Sequence, residues 1–88
     1  MQIVLDKSGY YVLTSGETDE VVAIISAGEG QEISEKLERA VKDHEVAEIV
    51  KLEAVEDRKE QGRVIYMNVT SDGDSSLFSY FLEKTEVY

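Results

Sequence analysis

Apolar residues in the first part of the chain form short runs that predict strands. Residues 2–5 and 10–14 favour β-structure, and residues 7–9 between them are typical of a turn. Residues 21–25 are continuously apolar and β-branched, a pattern expected of a central strand that is covered on both faces. This part of the chain therefore predicts three strands, the first two of which form a hairpin.

The middle of the chain follows a helical period instead. One apolar stripe at positions i, i+4, i+7, i+8 and i+11 consists of Ile33, Leu37, Ala40, Val41 and His44. Acidic residues begin this segment and Lys42 lies near its end, an arrangement that suits the helix dipole. The stripe predicts one amphipathic helix, and His44 is expected to cap the helix or to be a partly buried structural residue.

Residues 46–56 admit two interpretations. Their alanine, glutamate, lysine and leucine content favours a continuation of the helix, and neither glycine nor proline interrupts the chain before Gly62. Against this, Val46, Val50 and Leu52 share one parity, as in a strand. A helix from residue 31 to residue 61 would be about 46 Å long, which is more than a domain of this size needs. We therefore favour a strand.

The last third of the chain predicts two further strands. These are residues 63–70 and 77–87, and residues 71–75, with Asp-Gly at their centre, form the turn between them. Five of the six residues from 77 to 82 are apolar or aromatic. We therefore expect the last strand to be covered on both faces or to contact a partner.

Together these elements predict an α+β fold in which one amphipathic helix packs on a mainly antiparallel sheet of about five to six strands, in the order βββαβββ. Residues 1–88 are expected to form a single domain, because domains of roughly 100–200 residues are the rule. Chains this short bury only about 60–65% of their unfolded surface, so association with a partner is a natural source of further stability.

The charge balance excludes several classes of function. Acidic residues number 19 and basic residues 9, and the formal net charge is -10. Such a surface repels phosphate backbones and anionic lipids, so we expect neither nucleic-acid nor membrane binding. The chain has no cysteine and a single histidine, so the side chains most used in catalysis and in zinc binding are nearly absent. We expect a non-catalytic protein without a cofactor or metal.

The start of the chain and its apolar runs bear on localisation. Residues 1–7 lack a basic region, and their apolar run stops after three residues, unlike that of a signal peptide. No apolar stretch approaches the roughly 20 residues of a membrane helix. We therefore expect a cytoplasmic protein.

An unbalanced group of acids is the first candidate binding site. Residues 16–30 contain four acidic residues and no basic one, and these acids are Glu17, Asp19, Glu20 and Glu29. Carboxylates presented together attract a cationic partner and speed its association. The group indicates a basic protein as partner and, in its sharper form, an inhibitor such as an immunity protein, an antitoxin or a nucleic-acid mimic.

The aromatic residues of the last predicted strand are the second candidate site. Phe78, Tyr80 and Phe81 lie in a segment with more apolar residues than one buried face requires. An apolar sheet face or edge that meets no other element of its own chain is suited to protein contact. These residues therefore indicate a protein interface, with a homodimer joined through a sheet edge or face as one form of it.

A calcium loop is the third candidate. Asp72, Asp74, Ser76 and Glu83 stand at positions 1, 3, 5 and 12 of such a loop. Position 6 is Leu77, where the loop needs glycine for its bend, and the flanking residues predict strands rather than helices. A solvated hairpin turn explains the same residues.

These features favour a small, acidic, non-catalytic domain that binds or regulates another protein. The first alternative is an inhibitor of a basic protein. The second is a module that binds a small ligand or calcium through the loop that begins at Asp72.

Overall fold

The computed structural model describes residues 3–5, 7–58, 62–71 and 74–85, and it gives their side chains except those of 53–58, 62, 63, 71, 74 and 75. The elements in chain order are β1 (Gly9–Ser15), β2 (Val21–Ala27), α1 (Ser34–Glu45), β3 (Ile49–Arg58), β4 (Gly62–Ser71) and β5 (Asp74–Lys84). Their order is therefore ββαβββ.

The five strands form one antiparallel sheet in the order β2-β1-β5-β4-β3. This order places β5 at the centre and β2 and β3 at the edges. The sheet curls around α1, which contacts β4 and both edge strands. The prediction of one helix on a mainly antiparallel sheet is confirmed, and the number of strands lies within the predicted range.

The predicted order βββαβββ is wrong because the segment before β1 is not a strand of the sheet. Val4 forms only an isolated antiparallel bridge with Glu32, and Gln2 lies outside the described residues. Ile3 and Leu5 are buried in the core. Their carbonyl oxygens accept hydrogen bonds from Ile33 N at 2.9 Å and from Gly30 N at 3.0 Å. The segment therefore pairs with the turn before α1, and its apolar residues fill the core without joining the sheet.

The side of the sheet that faces α1, here called the inner face, forms the hydrophobic core. Alternate residues of the strands point to it, as a pleated strand requires. Its buried members are Tyr11, Leu13, Ser15, Ile25, Ala27, Ile65, Met67, Val69, Tyr80 and Leu82. Leu37 and Val41 of α1 are completely buried against them. Each large apolar side chain buried in this way stabilises the fold by about 1.5–3 kcal/mol relative to its exposed state.

The ambiguous residues 46–56 are resolved as a strand, because α1 ends at Glu45 and β3 begins at Ile49. Val46 adopts the left-handed conformation with φ of 54°, which stops the helix, and Ala47 N donates to Lys42 O at 3.1 Å. The left-handed residue after a helix is a common C-terminal signal, although it is more often glycine than valine. The preference for a strand is therefore confirmed.

The prediction that residues 21–25 form a central strand covered on both faces is wrong, because β2 is an edge strand. Val21 is 63% exposed and Ile24 is 67% exposed. The centre of the sheet is occupied by β5 instead, whose apolar residues lie on both parities. An apolar run indicates a strand, but the position of that strand depends on which neighbours it pairs with.

Candidate functional site

The four acids predicted to form one patch lie at two ends of β2. Glu17, Asp19 and Glu20 belong to the turn between β1 and β2, whereas Glu29 follows the end of β2. The seven residues of β2 separate these positions by about 23 Å. The structure therefore does not bring Glu29 together with the other three acids.

The turn that carries three of these acids is held by its own hydrogen bonds. Ser15, which is buried at its base, accepts with Oγ from Glu17 N at 3.3 Å and from Thr18 N at 3.4 Å, and its carbonyl accepts from Asp19 N at 2.9 Å. The Glu17 carboxylate accepts a hydrogen bond from Ser79 N of β5 at 3.2 Å. Glu17 therefore has a structural partner within the chain.

Glu20 takes part in a polar cluster at the end of α1. Its Oε2 lies 3.6 Å from His44 Nε2, and Glu45 Oε2 lies 3.4 Å from His44 Nδ1. Tyr80 donates its hydroxyl proton to Glu45 Oε2, and its hydroxyl oxygen lies 3.5 Å from His44 Nδ1. The ring of His44 meets that of Tyr80 edge-on, with 6.2 Å between the centroids. The cluster ties the end of α1 to the centre of the sheet.

The chemistry of this cluster is that of a structural link. Burial raises the pKa of Tyr80 well above its ordinary value, and the hydrogen bond to Glu45 and the charge of Glu45 raise it further. The phenol therefore remains protonated and acts as a hydrogen-bond donor. The carboxylate of Glu45 serves as its acceptor, so both groups are already engaged with each other.

The three aromatic candidates of β5 lie on two different faces. Tyr80 is completely buried on the inner face, and Phe78 packs partly buried against the core. Phe81 lies on the opposite side of the sheet and is half-buried. Of the three, Phe81 alone presents its side chain to the side of the sheet away from α1.

The calcium-loop candidates are spread along an extended strand. Ser76 and Glu83 both belong to β5, seven positions apart, and their odd separation points them to opposite faces. The distance along the strand is about 23 Å, whereas calcium ligands must converge within about 2.6 Å of one ion. Asp74 begins the same strand, and Asp72 lies outside the described residues. Among the side chains that the structure describes, no group of three or more histidine or acidic residues could hold a metal ion.

A groove lies between α1 and the edge strand β2. Its volume is about 550 Å³, within the usual range of ligand sites. Its lining includes Val22, Ile24, Lys36, Arg39, Ala40 and Asp43. The groove thus combines an apolar floor, two cationic side chains and one acid, on a chain whose net charge is -10.

Backbone groups of β2 face this groove's open side. Tyr10 lies opposite Ser26, and its carbonyl accepts from Thr85 N at 2.9 Å on the β5 side, so this pair does not exchange hydrogen bonds. Ser26 O instead accepts a hydrogen bond from Lys36 Nζ at 2.8 Å. Alternate residues turn their backbone groups the same way, so the N–H and C=O of Ile24 also point to the free side of β2.

The second edge of the sheet is shielded in a similar way. Leu52 N of β3 donates to Glu38 Oε1 of α1 at 3.4 Å. The register of β3 against β4 also shifts between Leu52 and Ala54, which interrupts the regular ladder. Bulges and charged side chains at an edge disfavour uncontrolled pairing with other chains. A long run of free backbone groups is therefore absent from the described part of this edge.

The side of the sheet away from α1, here called the outer face, is made of the other set of alternate residues. In the described strands these are Tyr10, Val12, Thr14, Ile24, Ser26, Ile49, Lys51, Val64, Tyr66, Asn68, Thr70, Leu77, Ser79, Phe81 and Glu83. The charged residues among them are Lys51 and Glu83. The acidic surface of the protein therefore lies elsewhere, and this face is largely apolar or neutral.

Analysis of the sequence missed both the groove and the outer face. The candidates from sequence included one outer-face residue, Phe81, but not Ile24 or Leu77, which are more than half exposed. Lys36 and Arg39 lie beside the apolar stripe of α1 and carry no signal that distinguishes them from ordinary solvated residues. Only the position of β2 at the edge brings them next to a free strand.

A scan against protein-family models and searches of curated proteins and of solved structures gave no match to this chain. In the part of the chain that the structure describes, no helix has the length and apolar character needed to cross a membrane.

Proposed function

We propose that this chain is a non-catalytic protein-binding domain that accepts an extended segment of its partner as an added strand on the free edge of β2. The observation that carries the proposal is the position of β2 at the edge of the sheet, beside a groove that α1 closes on one side. Strand addition of this kind gives affinity through main-chain hydrogen bonds, and the adjoining groove gives specificity through side chains.

The backbone of β2 supplies the pairing groups. Ile24 directs its N–H and C=O to the free side, and Ser26 O already accepts a donor there, namely Lys36 Nζ. The ammonium group thus occupies the place that a backbone N–H of the added strand would take. Because this hydrogen bond is exposed, its replacement by another costs little, on the order of 1 kcal/mol.

The charges of the groove favour a particular segment. Lys36 contacts Ser26 near the end of β2, whereas His44 contacts Glu20 just before its start, so α1 runs antiparallel to β2. Lys36 and Arg39 therefore lie towards one end of the groove, and Asp43 and Glu20 towards the other. A segment with an acidic side chain at the first end and a basic side chain at the second complements this arrangement.

Arg39 is available for such a contact despite its neighbour. Its Nη2 lies 3.4 Å from Glu35 Oε1, and both side chains are largely exposed. Exposed ion pairs of this type contribute only about 0–1 kcal/mol. Exchange of Glu35 for a carboxylate of the partner is therefore inexpensive.

The test starts from a displayed library of random short peptides selected against the folded protein. A recovered peptide is titrated into isotope-labelled protein, and the backbone amide signals are followed by NMR. We expect the amides of Ile24 and Ser26 to shift and their hydrogen exchange to slow, and we expect recovered sequences to carry an acid at one end and a base at the other.

Charge-reversal variants connect this binding to the groove. Lys36→Glu combined with Arg39→Glu should weaken the peptide at least about tenfold, because two attractive contacts become repulsive. Lys42→Glu makes the same type of change on the same helix outside the groove lining and serves as the control. Failure to recover a peptide, shifts that map to another surface, or equal loss in the control would contradict the proposal.

A further inference from the structure

The outer face differs in charge from the rest of the molecule. Charged residues make up 32% of the chain, yet the described outer face holds one base and one acid, Lys51 and Glu83, so its net charge is zero. It also carries four large apolar side chains that are at least half exposed, and these are Tyr10, Ile24, Ile49 and Leu77. An apolar face free of excess charge is unusual for a protein surface and marks a contact region.

Charge and apolar residues on this face are arranged in two rows across the strands. In the first row, Ile24 of β2 lies opposite Val12 of β1, which lies opposite Glu83 of β5. Leu77 of β5 begins the second row, which crosses β4 and ends at Lys51 of β3. Each row thus joins an exposed apolar residue to one charge, and the two charges are opposite in sign.

Lys51 and Glu83 are too far apart to pair within one chain. Leu77 and Glu83 are six positions apart on β5, about 20 Å along the strand, and Lys51 lies two strands further across, about 10 Å away. The separation therefore exceeds about 20 Å, well beyond the 4 Å of an ion pair. Each charge lacks the other as a neighbour in its own molecule.

We propose that the outer face binds a second copy of this chain, with Glu83 of each copy against Lys51 of the other. A two-fold axis midway between the two residues produces both contacts at once, since residue i meets residue j and residue j meets residue i in a symmetric interface. The same operation brings the apolar first row of one copy towards the apolar second row of the other. Two aligned sheets packed face to face in this way form a core about 10 Å thick.

The charge distribution favours a second copy over a cationic partner. Two molecules of charge -10 repel each other through most of their surface. The outer face is the region of the described chain where they can meet without opposing acids. A basic protein would instead be drawn to the acidic surface and would gain nothing from a face whose net charge is zero.

The size of the outer face is suited to such a dimer. Five strands about 4.8 Å apart, each with about seven residues of roughly 3.3 Å, give a footprint on the order of 500 Å². Side-chain relief makes the accessible area larger than this footprint, so each copy approaches the roughly 800 Å² that a standard interface buries per partner.

The test measures the mass of the protein in solution by sedimentation velocity over a range of concentrations. We expect a dimer at high concentration for the natural chain. Glu83→Lys alone and Lys51→Glu alone should each raise the dissociation constant at least about tenfold, because each places like charges together. The double variant with both changes should restore the affinity, because it exchanges the two charges and keeps the pairs.

The restoration is the decisive result, since residues more than about 20 Å apart in one chain cannot compensate each other by direct contact within it. Glu29→Lys, which makes the same change of net charge outside the outer face, should leave the dissociation constant unchanged. A monomer at every concentration, single variants without effect, or a double variant weaker than either single one would overturn the proposal. Circular dichroism of each variant confirms that the fold is retained.

This inference is independent of strand addition at β2. The outer face uses side chains that point away from the sheet, whereas strand addition uses the backbone of β2 and the groove on the side of α1. Glu83→Lys should therefore abolish the dimer and leave peptide binding intact.

Discussion

The two faces of the sheet are built from the same strands but meet different surroundings. On the inner face, alternate apolar residues are buried against α1, and the polar groups Tyr80 and Ser15 are satisfied by partners of their own chain. On the outer face, the next residues along are equally apolar in places, yet Ile24 and Leu77 are more than half exposed. The difference shows that one helix covers one face, and that apolar residues on the other face remain available for contact.

Truncation of matched isoleucines on the two faces should produce the largest contrast. Ile65 on the inner face is completely buried, whereas Ile24 on the outer face is 67% exposed. Ile65→Ala should lower the free energy of unfolding by about 2–5 kcal/mol, because it removes buried methyl groups and leaves a cavity. Ile24→Ala should lower it by less than about 1 kcal/mol, as surface substitutions do. Urea unfolding at a concentration where the protein is monomeric measures both, and equal losses would contradict the comparison.

Removal of a single hydroxyl group separates the faces more finely. Tyr80→Phe leaves Glu45 without its donor in a half-buried site, which should lower the free energy of unfolding by about 1–3 kcal/mol. Tyr10→Phe makes the same change on the outer face, where the ring is 50% exposed, and should have little effect. Thermal unfolding of both variants at neutral pH tests the pair. A neutral Tyr80→Phe would show that the cluster with Glu45 contributes no stability.

The smallest expected effect concerns the border of the inner core, where Glu32 holds the start of α1. Its Oε1 accepts from Ser34 N at 2.7 Å and from Ile3 N at 3.3 Å. The hydrogen bonds from Ser34 keep the pKa of Glu32 below its ordinary value of 4.5. A lowered folded-state pKa means that the stabilisation is present above the unfolded-state value and is lost as the pH falls through the folded-state value.

Glu32→Gln should therefore unfold at a lower temperature than the natural chain at pH 7, and the two melting temperatures should converge as the solution is acidified. Because Glu32 is exposed, the shift should be the smallest of the three effects. Ser34→Ala removes the largest cause of the lowered pKa and should reproduce part of the change. A difference that grows on acidification would reverse the sign and contradict this role.

The local elements could be predicted because their signals lie within a few residues. The stripe that contains Leu37 and Val41 predicted α1, and the parity of Val50 and Leu52 predicted β3. The left-handed conformation of Val46 that divides these two elements could not be predicted, since valine disfavours it. Packing of Leu37, Val41 and the following strand on the same core outweighs that local preference.

The candidate surfaces were much harder to predict. The acids near β2 are close in sequence, but Glu29 lies a full strand away from Glu17. Lys36 and Ser26 meet across ten residues, and Lys51 and Glu83 are related only through the register of three strands. Local patterns carry no information on such relations.

The amino-acid sequence alone determined the strands, the helix and the strong acidity of this protein, because alternation, helical period and charge are properties of neighbouring residues. The pairing of strands depended on the tertiary structure, because β5 returns to the middle of the sheet and leaves β2 at its edge. That placement converts an apolar run that resembles a central strand into an exposed edge beside a groove. Strand order is chosen by the burial of the whole inner face under α1, a sum over distant residues that no single segment contains.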